Sequence, residues 1–175
     1  DLVVANADVA GVRSGALGPA AASALPRPGS ASRSLSAITR SLLAETSGFE
    51  LDHHNVFFPG DYPREFEEIF DHGRRPARPA VYVCAQDRGP GGDRPAGAER
   101  LFLITNAPAV GDRDAFDAGT VAQTRSAAFG LLGDCGLSLR VEAEVATTPA
   151  DFEARFPGTG GALYGAAAHG WRSSF

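Results

Sequence analysis

From Ser138 to Thr147 the chain alternates, with Leu139, Val141, Ala143 and Val145 interleaved with Arg140, Glu142 and Glu144. A period of two predicts a strand with one face on a core and the other in water. Val81 to Gln86 and Leu101 to Asn106 are apolar at both alternating sets of positions, the pattern of strands covered on two sides. A shorter strand is predicted from His54 to Phe58, ended by Pro59-Gly60, and another buried-type strand from Leu2 to Ala5. Over Ser34 to Ser47 the pattern is less clear, with Leu35, Ile38 and Leu42 at helical spacing.

Period 3.6 appears in three places. Tyr62, Phe66, Ile69 and Phe70 fall on one helical face, with Asp61 placed to cap free amides and Pro63 in the first turn. Glu65, Glu67, Glu68 and Asp71 then read as its solvated face. A long helix is predicted from about Asp114 to Leu132, with Ala118, Val121, Ala122, Phe129 and Leu132 on one stripe and Arg125 snorkelling out of it. Thr148 with Asp151 is a short capping signal for a helix stopped by Pro157-Gly158. A helix is also expected from Val9 to Gly18-Pro19, followed by an Ala/Pro/Ser/Gly loop from Ala20 to Ser32. With no regular βαβ rhythm and no internal repeat, the order predicts an α+β fold: a mixed β-sheet with helices packed mainly on one face.

Composition narrows the function classes. At 175 residues, one core is expected. The net charge of -5 argues against a nucleic-acid partner, which needs a basic face. Arg74, Arg75 and Arg78 are read as a solvated turn after a helix. All basic residues are Arg, pointing to a GC-rich genome, and no Met is present, from which the chain is expected to be a segment cut from something longer. Cys84 and Cys135 lack metal-like spacing and are expected as reduced thiols. No apolar run reaches the roughly 20 residues a membrane-spanning helix needs.

Local chemistry is sparse. His53 and His54 are adjacent, so within a strand they point to opposite faces, and no metal site is expected. GTGGALYG, from Gly158 to Gly165, lacks the G-x-G-x-x-G spacing of a dinucleotide fingerprint and reads as a tight, closely packed turn. His169, beside Gly170 and Trp171, fits either a packing residue or a proton-handling one. No nucleophile elbow is present, which disfavours hydrolysis.

Two blocks, HHNVFFPGDYPREFEEIFDHGRRPARPAVYVCAQDR from His53 to Arg88 and FPGTGGALYGAAAHGW from Phe156 to Trp171, resemble the flavin-dependent bacterial carotenoid desaturases of the phytoene desaturase type. Within that family they are similar to the hydroxyneurosporene (1-hydroxycarotenoid 3,4-) desaturases. The resemblance favours a strand over 34–47. It implies the substrate domain of an FAD-dependent, amine-oxidase-like flavoprotein, with residues 1–8 a returning strand of a dinucleotide-binding domain, 9–155 the substrate-binding domain, and 156–175 a segment returning to the flavin. It implies desaturation of a polyene in carotenoid biosynthesis, with FAD in the longer parent and none on this chain. Phe57, Phe58, Tyr82, Phe102, Tyr164, His169 and Trp171 become substrate-contact candidates, each aromatic fitting a core position equally well, and the backbone of Gly160 and Gly161 becomes flavin-adjacent. A cytoplasmic location with peripheral contact to the inner or photosynthetic membrane follows from the same resemblance. The alternatives are a non-catalytic lipid or carotenoid-binding module and a phytoene-type desaturase or isomerase with another polyene substrate.

Overall fold

The longest strand, β1 (Ser36–Gly48), resolves the ambiguity over 34–47 in favour of extended chain. Its even-numbered side chains Ile38, Arg40, Leu42, Ala44 and Thr46 are all buried, so the period that governs it is two. The computed structural model describes residues 4–25, 33–89 and 95–165. Over these, β1 joins β2 (His54–Phe57), β3 (Val81–Ala85), β4 (Glu99–Ala107) and β5 (Leu137–Thr147) in a sheet of order β2-β3-β4-β1-β5.

Every neighbouring pair is antiparallel, where a mixed sheet was expected. A single strand-helix-strand passage does occur: α4 (Ala118–Asp134) carries the chain from β4 to β5, and these two strands point the same way. β1 lies between them, so the crossover never creates a parallel pair.

α4 covers one face of the sheet. Its Ala128, Leu131 and Leu132 pack with Leu42, Ala44, Val81, Val83, Leu101, Leu103 and Leu137 in the main core. At roughly 25 cal/mol per Å² of apolar area, burying these side chains stabilises the pairing of α4 with the sheet. The predicted stripe is displaced toward the helix C-terminus, since Ala118 and Ala122 are exposed. Asp117 caps the helix by accepting from the Thr120 amide at 2.7 Å. The capping box at Thr148 and Asp151 is formed as expected and opens α5 (Pro149–Arg155).

Four further expectations are corrected. α1 (Val9–Arg13) starts where predicted, but α2 (Pro19–Ala24) is helical where a loop was expected from Ala20, and the rest of that loop, 26–32, lies outside the described residues. Val4 and Ala5 are exposed and in no strand, while Leu2 and Val3 lie outside the described residues. Asp61 makes no cap to α3 (Pro63–Phe66), whose N-terminal residue is Tyr62 with Pro63 in the first turn. The acids after it are not all solvated. The helix widens into a π-helical turn over Glu67–Asp71, in which the His72 amide reaches the Glu67 carbonyl at 3.2 Å. Glu65 and Glu68 are thereby buried: Glu65 accepts from the Ala80 amide at 2.7 Å and from Asn106 at 2.8 Å, and Glu68 from the Ala77 amide at 2.9 Å. They hold the 72–80 loop down. Burial pushes the Glu65 carboxyl above its ordinary range, against the lowering effect of those two bonds.

β5 departs from its alternation at one point. Leu43 pairs with Ala143 but Ala44 pairs with Val141, which leaves Glu142 as an extra residue, a β-bulge. Leu139 and Val141 pack on the core, as predicted. Past the bulge the faces exchange: Val145 is 68% exposed and Glu144 turns inward. There Glu144 meets Arg40, which is buried and also donates to the Val121 carbonyl at 2.7 Å and Thr124 Oγ1 at 2.9 Å. Arg125 completes the group, donating to Glu144 at 2.7 Å and lying 4.1 Å over the Phe129 ring. Burial alone would raise the Glu144 carboxyl, and the two guanidiniums overcome it and hold it below the usual range.

A second buried ion pair fixes the other end of the sheet. Arg88 donates to both oxygens of Glu99, at 2.8 and 2.7 Å, to the Leu51 carbonyl at 2.6 Å and to Thr46 at 3.0 Å. One guanidinium thus joins β1, β4 and the approach to β2. Arg88→Ala is expected to lower unfolding stability by about 3–5 kcal/mol, because it leaves Glu99 charged and buried. Arg88→Met combined with Glu99→Leu is expected to cost far less, and urea unfolding of both variants checks this.

Candidate functional site

The face of the sheet opposite α4 is only partly covered. Register places Val56, Tyr82, Ile104 and Thr39 in one row across it, and His54, Cys84, Phe102, Ser41 and Val145 in the next. Leu43 follows, paired with Ala143. The Glu65–Asn106 bond ties α3 over one end of this face, near the buried Ala37. Beyond that the surface opens: Tyr82, Cys84, Phe102 and Ile104 are half-buried, and Val56 and Leu43 are 50% and 38% exposed. It is a largely apolar strip, interrupted on β1 by Thr39 and Ser41, of a kind that single scattered surface hydrophobics do not make.

Polar groups enter the strip at its β2 edge. His54 Nδ1 lies 2.7 Å from the Tyr82 hydroxyl, with the rings 6.0 Å apart and nearly parallel. Burial, with the Cys84 thiol alongside, holds the Tyr82 hydroxyl above its ordinary range, so it stays a neutral donor and acceptor. His53 stands beside it, its ring 4.4 Å from that of His54 at 86°. The two histidines were expected to diverge. They do not, because His53 sits in the bend before β2, where strand alternation does not apply.

The sequence candidates separate. Tyr82 and Phe102 face the open strip. Phe57 faces α4 and belongs to the main core, edge-on to Phe49 at 5.1 Å. Phe58, just past β2, is 54% exposed and packs edge-on against Tyr62 at 4.9 Å. Tyr164 is exposed near the far end of β1, where its backbone bonds the Ser34 hydroxyl. His169 and Trp171 lie outside the described residues. Leu43, Val56, Ile104 and Val145 complete the strip without having been singled out from the sequence. The i, i+2 spacing of Val56 and Phe58 was a visible signal, whereas the outward turn of Val145 needs the bulge.

Gly160 and Gly161 form a turn with every backbone group committed inside the protein. Gly160 donates to Glu153 at 2.6 Å, and its carbonyl accepts from Gly111 at 2.8 Å. Gly161 donates to Thr159 at 3.0 Å, and its carbonyl accepts from the Ser36 hydroxyl at 2.5 Å. Both have positive φ, and a Cβ on Gly161 would lie 2.2 Å from the Pro149 carbonyl oxygen. Closely packed backbone accounts for both glycines. Within this turn the amides of Gly160 and Gly161 are both taken by partners inside the protein.

No protein-family model matches the chain. Among individual proteins, it is 48% identical to hydroxyneurosporene desaturase from Rubrivivax gelatinosus, over 100% of this chain and 34% of that protein. Over its whole length it matches a stretch of the hydroxyneurosporene desaturases. It is 31% identical to a 1-hydroxycarotenoid 3,4-desaturase from a Flavobacterium species over 72% of this chain and 26% of that protein. It is also 29% identical to 4,4'-diapolycopene oxygenase from a Methylomonas species, over 68% and 24%. The chain therefore spans about a third of the length of the desaturases it matches or less. Carotenoid enzymes named for different reactions share this stretch.

Glu153 organises the return of the chain to β1 in this stretch, accepting from Gly158 at 2.7 Å as well as from Gly160. Burial would raise its carboxyl, but those amides and Thr159 prevail and lower it. A lowered carboxyl stabilises the fold above its unfolded value and loses that contribution as pH falls through the folded value. Glu153→Gln is expected to cost about 1–2 kcal/mol near neutral pH, where one amide loses its acceptor. Thermal unfolding at about pH 7 and about pH 3 should show the gap between variant and parent closing in acid.

Proposed function

We propose that this chain supplies the substrate-facing sheet of a carotenoid desaturase, with a polyene lying along the open strip of Val56, Tyr82, Phe102, Ile104, Leu43 and Val145. One observation carries the reading: a sheet that is closed by α4 on one face keeps an uncovered apolar surface on the other, in a sequence that matches hydroxyneurosporene desaturases along its whole length. A polyene has almost no groups to hydrogen-bond. Its recognition requires long, dry, weakly polar walls, with any polar anchor confined to one place. The strip has that composition, and His54 with Tyr82 forms its polar edge.

On this reading the reaction is introduction of a C–C double bond into a carotenoid, and the names of the relatives favour the 3,4 bond of a 1-hydroxylated one. Residues 9–155 act as the substrate domain of an amine-oxidase-like flavoprotein. The oxidant, FAD, belongs to sequence other than the described residues, and what these residues do is bind, orient and exclude water. A bilayer-dissolved substrate also favours peripheral contact with a membrane. Among the described residues no helix is long and apolar enough to cross one.

The test places a charge in the strip at positions whose exposure leaves the fold intact. In a full-length desaturase carrying this sequence, Val56→Asp and Val145→Asp are each expected to lower kcat/KM for a hydroxylated carotenoid by at least about tenfold. Gln123→Asp, on the exposed side of α4, should leave it unchanged. Unaltered kinetics in both strip variants would refute the reading.

A further inference from the structure

We propose that His53, His54 and Cys84 form a binding site for a thiophilic transition-metal ion such as Zn²⁺. Each residue offers one ligand atom, and the three atoms lie within 4.8 Å of one another. Two imidazole nitrogens and a sulfur are a donor set that suits Zn²⁺ and disfavours the oxygen-seeking Mg²⁺ and Ca²⁺.

The geometry is partly assembled. Tetrahedral Zn²⁺ with bonds of about 2.0–2.1 Å to nitrogen and 2.3 Å to sulfur sets two nitrogens about 3.3–3.4 Å apart and a nitrogen and a sulfur about 3.5–3.6 Å apart. His53 Nε2 and Cys84 Sγ already stand at 3.7 Å. The tautomer of His53 is fixed as a metal ligand needs it. Its Nδ1 lies 2.6 Å from the Arg88 carbonyl oxygen, which can only accept, so Nδ1 carries the proton and Nε2 presents its lone pair toward the sulfur. Arg88 is itself held by the buried pair with Glu99, so the orienting carbonyl is rigid. His54 is set opposite Cys84 by strand register and steadied by the Tyr82 hydroxyl.

Burial grades outward from the half-buried His53 and Cys84 to the exposed His54, beside a cleft lined by Gln86, Asp87, Arg88 and Gly89. Three protein ligands with a fourth position facing a cleft leave room for water or another donor. Binding requires the thiolate, so Cys84 gives up its proton to solvent as the S–metal bond forms. The site stands on these distances alone and is independent of the reading as a substrate sheet.

The experiment is a titration of the reduced protein with Co²⁺ as an optical stand-in for Zn²⁺. One equivalent is expected to bring in a thiolate-to-cobalt charge-transfer band in the near ultraviolet, lost on adding Zn²⁺. Cys84→Ser should abolish the band and Cys135→Ser should keep it. Because Cys84 lies in a strand, His54→Asn is the decisive variant: with an unchanged circular dichroism spectrum, loss of a direct ligand should weaken binding by at least about the tenfold that losing an outer-shell partner costs. Absence of the band in the folded protein, a band that follows Cys135, or equal affinity in His54→Asn would overturn the proposal, leaving the His53–Cys84 approach a simple hydrogen bond.

Discussion

The buried pair between Arg88 and Glu99 is the constraint on which the arrangement at the β2 end depends. Both side chains are almost fully enclosed, and such a pair is tolerated only when every donor and lone pair is met. Here Thr46 and the Leu51 carbonyl take two further N–H groups of Arg88, and Thr46 also donates to Glu99. The result fixes three chain segments that hydrophobic packing alone would leave free to slide: β1, β4, and the turn that leads into β2. Through its own carbonyl, Arg88 also sets the ring of His53. A deep electrostatic contact thus fixes side chains at the surface.

The second organising event is the bulge at Glu142. Without it, β5 would present Val145 to α4 and Glu144 to water. With it, Glu144 faces inward to neutralise Arg40, and Val145 extends the apolar strip on the opposite face. One extra residue therefore closes the helix side electrostatically and widens the open side. Carotenoid enzymes named for different reactions match this stretch, in keeping with the proposed role of holding an extended apolar molecule.

Strands and the long helix were legible because periodicity reports burial: Val81, Val83, Leu101 and Leu103 are buried as their pattern placed them, but the second face of these strands, also expected to be covered, leaves Tyr82, Cys84, Phe102 and Ile104 half-buried. What the pattern could not report was anything fixed by a partner distant in sequence. Glu65 and Glu68 looked solvated because their partners, Asn106 and the amides of Ala77 and Ala80, become neighbours only after the chain folds back. Adjacent histidines were read with the rule for strands, and His53 precedes the strand. Of the site candidates, Tyr82 and Phe102 were recognisable as sheet aromatics, but their difference from Phe57 is one of face, which α4 decides. The resemblance of the blocks 53–88 and 156–171 identified the family, while locating the open surface required the register of all five strands.

The central claim is that the strip, and not the α4 side, meets the polyene. Site-specific photocrosslinking tests it most directly. A benzophenone side chain is placed at position 145 or, separately, at position 123 of a full-length desaturase carrying this sequence, and irradiated with bound carotenoid. The account predicts a visibly absorbing covalent adduct on the peptide containing position 145 and none on that containing position 123. An adduct formed at position 123 while position 145 stays unlabelled would contradict it.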